Sequence, residues 1–354
     1  MGYQLNSKIR ELVPYDTVKG DFRIRLDANE SFIDIPSETR DEIIKSISEN
    51  HFNRYPDPRA EAPCRAFAQY FGLELKNVSA FNGSDELLFL INSCFLMKGE
   101  KAVFLSPEFS MYRFYNELSE GQQITVKKAP DGSINADDII NAVNENGARL
   151  VAFSNPCNPT GVGLERGEVL RIIESCPDCL VCVDEAYMEF WNQSVIDKVN
   201  DYDNLMVLKT CSKAFRMAGI RCGFCAANEK LTNALLAVKS PYNVNSMTQA
   251  AAAAVLSRPK ELDAAIAHVK DAMQALYVEL SEMAEQFPDK MKVRKTCTNF
   301  AYVEMPDGGA RRMYEALKKE GILVRCFGEF LRITTGSDEE NAELIRAFEN
   351  HLFD

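Results

Sequence analysis

The sequence contains few of the side chains that several common kinds of active site require. Its 354 residues include three histidines and one tryptophan. His51, His268 and His351 lie outside every polar motif that follows a predicted strand. Histidine is the usual acid–base group near neutral pH and a frequent metal ligand. Its scarcity therefore argues against a site built on histidine catalysis or on histidine-bound metal.

The sequence also lacks dense basic segments and long apolar runs. It carries 40 Lys+Arg against 52 Asp+Glu, a formal net charge of −12, which disfavours a nucleic-acid surface. No apolar run approaches the ~20 residues that span a bilayer, and the N-terminus does not have the pattern of a signal peptide. We therefore expect a cytoplasmic protein that acts on small molecules and has neither a nucleic-acid nor a membrane partner.

Nucleotide-binding motifs are missing as well. There is no G-x-x-x-x-G-K-[ST] segment and no G-x-G-x-x-G after a strand, since "GVGLERG" at 161–167 has the wrong glycine spacing. A dinucleotide-dependent enzyme and a P-loop ATPase are therefore disfavoured.

Eleven cysteines are present, an odd number scattered along the chain. Cys176/Cys179 and Cys222/Cys225 have metal-like spacing, but the second pair lies in a predicted strand, where residues i and i+3 point to opposite faces. We expect free cysteines packed as small apolar residues and no metal. A structural zinc site is the less favoured alternative.

Short apolar runs alternate with helix-length segments between residues 80 and 240. A helix is predicted at 165–175, and strands are predicted at 101–107, 149–156, 179–187, 204–210 and 220–227. Because most of these runs are apolar on both faces, they predict an α/β fold with a largely parallel sheet covered by helices.

The pattern changes after residue 241. An alanine-rich segment and a long amphipathic one starting at Pro259 predict helices, and shorter strands and helices follow to the end. We expect an N-terminal arm over 1–30 that packs on the small domain, a large domain over 31–250 that carries the ligand site, and a small α+β domain over 251–354. The long helix from Pro259 is expected to join the two domains.

Polar residues follow the predicted strands, where open parallel sheets bind ligands. These residues are Asn155, Asn158, Asp184, Tyr187, Thr210, Ser212 and Lys213, with Arg221 further along. Upstream, Ser84 and Asp85 open a predicted helix whose free N–H groups favour an anion. Each residue alone fits a turn, a cap or a salt bridge. Together they match what a phosphorylated pyridine aldehyde requires.

Three motifs in this order carry a family resemblance: "SNPCNPTG" at 154–161, "VDEAY" at 183–187 and "TCSKAFRMAGIRCGF" at 210–224. Together with "LDANES", "NRYPDP", "GSDE", "ILVR" and "LRITTG", they resemble the fold-type I aminotransferases that use pyridoxal 5'-phosphate, in particular the histidinol-phosphate aminotransferase branch. The resemblance covers nearly the whole chain. It implies a mostly parallel central sheet in a large domain and a smaller α+β C-terminal domain.

The resemblance also implies roles for residues around the cofactor ring. Lys213 carries the cofactor aldehyde on its amine and later moves the α-proton of the substrate. Asp184 pairs with the pyridine nitrogen, Tyr187 and Asn158 bind the ring 3-oxygen, and Phe109 stacks on the ring. The cofactor phosphate is held by Arg221, Ser212, Thr210, the N–H groups at Ser84 and Asp85, and Tyr55 of a neighbouring subunit. A homodimer with shared active sites follows from the role of Tyr55.

On the substrate side, the resemblance implies that Arg332 holds the anionic end of the substrate, with Arg325 as a second cation and Tyr15 and Asn29 as polar helpers. The chain departs from the family there: "NESF" replaces "NENP" at 29–32, and the segment between the two arginines is short.

The expected reaction converts histidinol phosphate and 2-oxoglutarate to imidazole acetol phosphate and glutamate, with a small-molecule amino donor and a 2-oxo acid acceptor. Three alternatives stay open. They are an aromatic amino acid aminotransferase, an enzyme like threonine-phosphate decarboxylase, and a non-catalytic module that binds the same cofactor. The last is disfavoured because only about thirty residues precede the predicted sheet.

Overall fold

The computed structural model describes residues 2–14 and 18–353. Within them, the strands are, in chain order, β1 (Ile24–Arg25), β2 (Val78–Phe81), β3 (Lys101–Ser106), β4 (Gln122–Lys127), β5 (Leu150–Ser154), β6 (Leu180–Asp184), β7 (Leu205–Thr210), β8 (Gly223–Ala227), β9 (Lys292–Arg294), β10 (Phe300–Glu304), β11 (Ile322–Leu323), β12 (Arg325–Phe327) and β13 (Phe330–Thr334).

The helices of the same residues are α1 (Ser37–Ser48), α2 (Glu61–Phe71), α3 (Gly83–Cys94), α4 (Met111–Leu118), α5 (Ala136–Asn146), α6 (Arg166–Ser175), α7 (Glu229–Val238), α8 (Ser246–Leu256), α9 (Pro259–Gln286), α10 (Gly309–Lys319) and α11 (Asp338–His351). Helix α9 begins at the proline that the sequence placed at its first turn, because proline lacks only an N–H that the first turn leaves unpaired.

Seven strands form a central sheet in the order β2-β8-β7-β6-β5-β3-β4. Strands β3 to β7 pair in parallel, whereas β8 runs antiparallel to β7 and to β2. Every residue of β5, β7 and β8 is buried, as expected for strands with helices on both faces. The predicted α/β fold with a mostly parallel central sheet is confirmed.

The sequence pattern missed both edge strands of this sheet. Strand β4 is partly exposed along its length and has a polar sequence, QQITVK, and β2 has only four residues. The strand predicted from residue 220 begins at Gly223 instead, because residues 218–220 form one short helical turn. Apolar periodicity is weakest at such edges and ends, since they bury less side chain.

Two apolar cores cover the two faces of the central sheet. Successive residues of β3 pack in different cores: Val103 and Leu105 lie in one, and Ala102 and Phe104 lie in the other. This is the alternation expected of a strand whose successive side chains point to opposite faces.

A second sheet, β12-β13-β10-β9, is antiparallel throughout and belongs to a third apolar core. Ile24 and Leu26 near the N-terminus pack in that core. Lys8 instead pairs with Glu120 beside the central sheet. Helix α9 contributes Leu262 to the core of the central sheet and Leu280 to the third core. The domain boundaries stay a prediction from the sequence.

All eleven cysteines are free thiols, and most of them are buried. Among the described residues, no group of histidine, cysteine and acidic side chains is arranged to hold a metal ion. None of the helices in the described part of the chain is long and apolar enough to cross a bilayer.

Candidate active site

The polar residues predicted to form a site follow neighbouring strands of the central sheet. Ser154 at the end of β5 is in register with Asp184 at the end of β6, and Asp184 is in register with Leu208 of β7. The segments that follow these strands carry Asn158, Tyr187 and Lys213. Because β5, β6 and β7 are parallel, their carboxyl ends meet at one edge, where open α/β sheets bind ligands.

Asp184 is a buried carboxyl with two hydrogen-bond donors. The hydroxyl of Tyr112 donates to its Oδ2 at 2.7 Å, and the N–H of Ala186 donates to its Oδ1 at 3.0 Å. Burial raises the pKa of Asp184 to about 6, whereas the two hydrogen bonds act to lower it. A buried carboxylate of this kind is stabilised by a cationic group brought next to it.

Lys213 is a partly buried amine whose Nζ donates to the carbonyl oxygen of Ala28 at 2.7 Å. Burial lowers its pKa to about 8, with the positive charge of Arg332 and, more weakly, that of Arg221 acting in the same direction. Arg332, which lies far along the chain, therefore lowers this pKa more than Arg221 of the same sequence motif does. An amine with this pKa is deprotonated in part near neutral pH and can act as a nucleophile or a base.

An anion cradle surrounds the first turn of α3. Arg221 donates from Nη1 to Ser212 Oγ at 3.3 Å and from Nη2 to Asp85 Oδ2 at 3.4 Å, and the hydroxyl of Thr210 donates to Ser212 Oγ at 3.1 Å. The first N–H groups of a helix favour an anion, and a guanidinium and hydroxyls are common phosphate ligands. Ser84 lies in the same turn.

Two glycines allow this close approach. A Cβ on Gly83, whose φ is +79°, would lie 2.8 Å from Arg221 Nη2, and a Cβ on Gly223 would lie 2.7 Å from the backbone nitrogen of Ser84. The guanidinium and strand β8 are therefore packed directly against the start of α3.

The N-terminal segment "LDANES" enters the site beside Tyr187. Asn29 Nδ2 donates to Tyr187 Oη at 2.9 Å, and Asn29 Oδ1 accepts from the hydroxyl of Thr334 at 3.1 Å. Asn29 has φ +54°, a left-handed conformation that asparagine adopts more easily than most residues. Tyr187 accepts here through oxygen, so its own hydroxyl proton is available for another acceptor.

Arg332 links the second sheet to the loop after β5. It donates from Nη1 to Asn158 Oδ1 and from Nη2 to the carbonyl oxygen of Asp27, each at 2.6 Å. Arg325 is its register partner across β12 and β13. The guanidinium carbons of Arg325 and Arg332 lie 5.8 and 5.6 Å from the ring centre of Phe327. Two guanidinium groups in register on neighbouring strands offer planar sets of donors to one anion.

Two other predicted residues make ring contacts. Phe109 is partly buried and meets Tyr112 edge-on, with ring centroids 5.7 Å apart. Tyr55 is 81% exposed, and its ring stacks on that of Tyr242 with centroids 4.5 Å apart. Within one chain it therefore lies at the surface. Tyr15 lies outside the described residues.

The sequence did not reveal several groups that the fold brings to the site. Tyr112 and Phe327 lie outside the motifs quoted above, and the backbone carbonyl groups of Asp27 and Ala28, inside "LDANES", were given no role.

A buried ion pair supports the loop that carries Asn158. Glu108 Oε2 lies 3.2 Å from Lys128 Nζ, and both side chains are almost fully buried. The hydroxyl of Ser154 donates to Glu108 Oε1 and accepts from the N–H of Asn158 at 3.2 Å. Glu108 thus connects the ion pair to the same loop that Arg332 binds.

Lys213, Asp184 and the cradle lie at one edge of the central sheet, an arrangement that fits the fold-type I aminotransferases. Residues 23–348 match the model of the family described as aminotransferase class I and II, so the chain belongs to this family. The family and enzyme class that the motifs predicted are confirmed.

Relatives with curated names are similar over nearly their whole length. The histidinol-phosphate aminotransferase of Clostridium novyi is 38% identical over 351 residues, 98% of this chain and 96% of the relative. That of Pyrococcus furiosus is 35% identical over 355 residues, 98% of this chain and 97% of the relative.

Solved structures share the fold at lower identity. The histidinol-phosphate aminotransferase of Sinorhizobium meliloti in complex with pyridoxal-5'-phosphate has a TM-score of 0.88 and 22% identity, with 99% of this chain and 98% of that chain covered. The L-threonine-O-3-phosphate decarboxylase of Porphyromonas gingivalis has a TM-score of 0.80 and 20% identity, with 94% and 100% covered. Fold alone therefore does not separate the two activities.

Proposed function

We propose that this protein is a pyridoxal-phosphate-dependent aminotransferase that acts on histidinol phosphate and 2-oxoglutarate. The observation that carries the proposal is the similarity, at 35–38% identity over 98% of the chain, to relatives named histidinol-phosphate aminotransferase. The paired arginines at the substrate side agree with it, as argued below.

The residues present fit the proposed cofactor. The cradle of Arg221, Ser212, Thr210 and the first turn of α3 suits its phosphate group. Asp184 suits its ring nitrogen, because burial makes the carboxylate favour a cationic partner. Phe109, beside Tyr112, suits a position over the ring face.

Bound pyridoxal phosphate supplies an aldehyde for the amino group and a ring that withdraws electrons from the substrate Cα. Lys213 Nζ, with its lowered pKa, accepts the proton from that carbon and can return it. Asp184 would hold the charge of the ring nitrogen. Tyr187 and Asn158 would donate hydrogen bonds to the ring 3-oxygen, and Asn29 and Arg332 orient those two side chains.

Arg325 and Arg332 together form the proposed anion site of the substrate. Each guanidinium presents a planar set of donors that fits carboxylate and phosphate alike. Two cations in register suit a phosphate monoester better than a carboxylate, because the monoester carries a charge of about −1.5 to −2 at pH 7. This charge match favours a phosphorylated donor over an aromatic amino acid without phosphate.

The reaction is tested by supplying the purified protein with glutamate and imidazole acetol phosphate. Formation of histidinol phosphate and 2-oxoglutarate is the expected result. Faster turnover with phenylalanine or tyrosine than with histidinol phosphate would replace the substrate with an aromatic one. Release of carbon dioxide from O-phosphothreonine without any 2-oxo acid would identify a decarboxylase.

We also propose a homodimer with shared active sites, in which Tyr55 reaches the cofactor phosphate of the neighbouring subunit. The ring of Tyr55 stacks on that of Tyr242 of the same chain, and both are exposed. Phe52 and Met247, close to them in sequence, are exposed apolar side chains as well. A second copy of the chain would cover these side chains. Mixing a Lys213→Ala protein with a Tyr55→Ala protein should restore one intact site per hybrid dimer. If activity does not increase after subunit exchange, the sites are not shared.

A cytoplasmic location stays a prediction from the sequence.

A further inference from the structure

Tyr112 is a buried phenol aimed at the carboxyl of Asp184. Its side chain is 1% exposed, and its hydroxyl donates to Asp184 Oδ2 at 2.7 Å. Its ring stacks on Phe104 of β3 and meets Phe109 edge-on, with centroid distances of 6.5 and 5.7 Å. Contacts on two sides therefore fix the ring, and the hydroxyl can reach only a narrow region around the carboxyl.

The surroundings of Asp184 oppose its negative charge. Burial is the largest effect, and the carboxylates of Glu108 before α4 and Asp85 in α3 raise its pKa further. The hydrogen bonds from Tyr112 and from the N–H of Ala186 act in the opposite direction. The net pKa of about 6 leaves Asp184 mostly ionised at pH 7, and these two donors are what hold it there.

Tyr112 is suited to act as a permanent donor. Burial, together with the nearby carboxylate of Asp184, raises the pKa of this phenol well above its ordinary value, so the hydroxyl proton is retained at every physiological pH. Tyr112 binds Oδ2 and Ala186 binds Oδ1. The plane of the carboxylate is therefore set by one donor on each oxygen, in the way that outer partners orient the groups that contact a cofactor.

We propose that Tyr112 is a positioning residue that orients the carboxylate of Asp184 and keeps it charged for the pyridine nitrogen of the cofactor. The role toward the cofactor rests on the proposed function, whereas the effect on Asp184 does not. A hydrogen bond to a charged group is among the stronger ones in proteins, so its loss should be visible in the titration of Asp184 itself.

The test compares wild type with Tyr112→Phe, which keeps the ring and removes the hydroxyl. In the cofactor-free full-length protein, carboxyl carbon NMR follows the titration of Asp184, with Asp184→Asn identifying the signal. The midpoint should rise by about one to two pH units in Tyr112→Phe, the shift that a hydrogen bond to a charged group provides. The dissociation constant of pyridoxal phosphate should rise by about tenfold or more. Tyr115→Phe, in the same helix, should change neither value.

The outcomes separate this proposal from the proposed function. An unchanged Asp184 midpoint in folded Tyr112→Phe overturns the role of Tyr112, whether or not the protein uses this cofactor. If the wild type binds no pyridoxal phosphate, the proposed function and the role of Tyr112 toward the cofactor are overturned. The effect of Tyr112 on the titration of Asp184 is not. If Tyr112→Phe does not fold, wild type labelled at the tyrosine Cζ carbon replaces it. The chemical shift of one buried tyrosine should then follow the titration of Asp184, and it should stop doing so in Asp184→Asn. If no tyrosine signal follows Asp184, the proposal is overturned.

Discussion

Arg332 and Asn158, 174 residues apart in the chain, are joined by a hydrogen bond of 2.6 Å from Nη1 to Oδ1. The bond connects the second sheet, which carries the proposed substrate arginine, to the loop of the central sheet that carries a proposed cofactor ligand. The same guanidinium is the charge that most lowers the pKa of Lys213. Binding of an anion at Arg332 would therefore be felt at both Asn158 and the amine.

Lys213→Ala should abolish the covalent attachment of pyridoxal phosphate. It should reduce the rate of transamination by ~10²–10⁴-fold, the range that a positioned base contributes. The fold should persist, because Nζ makes its one described hydrogen bond to a backbone carbonyl. Borohydride reduction of the yellow wild type followed by peptide mapping should place the adduct on Lys213. Lys230→Ala, an exposed site on α7, is the control. Near-normal turnover by Lys213→Ala would show that the lysine has another role.

The rate at which the cofactor-free protein takes up pyridoxal phosphate should rise with pH through about 8. The reason is that only the neutral amine attacks an aldehyde, and Lys213 has its pKa lowered to about 8. Protonation below that pH slows the reaction, and above it the rate levels off. Arg332→Gln removes the strongest of the positive charges that lower this pKa, so its midpoint should lie at higher pH. Stopped-flow absorbance measures both profiles, and coincident midpoints would contradict the influence of Arg332.

Gly223→Ala should weaken cofactor binding although residue 223 has no role in the chemistry. The added Cβ would lie 2.7 Å from the backbone nitrogen of Ser84 and 2.8 Å from the carbonyl carbon of Gly83. Overpacking of this kind costs ~1–3 kcal/mol and should displace the first turn of α3 from the position in which it would bind the cofactor phosphate. We expect the dissociation constant to rise about tenfold, measured by fluorescence titration. Gly219→Ala has open space around its Cβ and should bind like wild type. Equal binding by both variants would exclude the close-packing argument.

Glu108→Gln should destabilise the protein by about 3–5 kcal/mol, because it leaves the buried ammonium of Lys128 without its counter-charge. Combining it with Lys128→Met should recover much of that loss, since both charges are then gone. Urea unfolding measures the three free energies. Glu329→Gln, at an exposed turn, should have little effect. A double variant as unstable as the single one would show that the pair is not the cause.

Asn29→Ala should destabilise the protein more than Asn29→Gly. Both substitutions remove the hydrogen bonds to Tyr187 and Thr334, which costs about 1–3 kcal/mol for groups left unpaired in a buried site. Only alanine adds strain at φ +54°, a conformation that glycine adopts freely. The comparison uses urea unfolding at one pH. Equal free energies of unfolding for the two variants would argue that the backbone conformation relaxes.

Much of the central sheet could be predicted because its strands are buried on both faces. Strands β3, β5, β6, β7 and β8 appear as apolar runs, and α9 is delimited by Pro259. The edge strands β2 and β4 were missed because they are short or polar. The strand-like sequence over 292–305 forms two strands, β9 and β10, and residues 295–299 between them include no proline or glycine that would mark the break.

The sequence by itself determined the family and the side chains that end the parallel strands, because motif residues near one strand end are close in the chain and their chemistry is local. Only the tertiary structure decided which distant groups act on them. Tyr112 reaches Asp184 from another helix, Ala28 receives the hydrogen bond of Lys213, and Arg332 sets the pKa of that lysine more than Arg221 does. Hydrogen bonds and charge interactions depend on distances of a few ångströms through space, and no spacing along the chain encodes them.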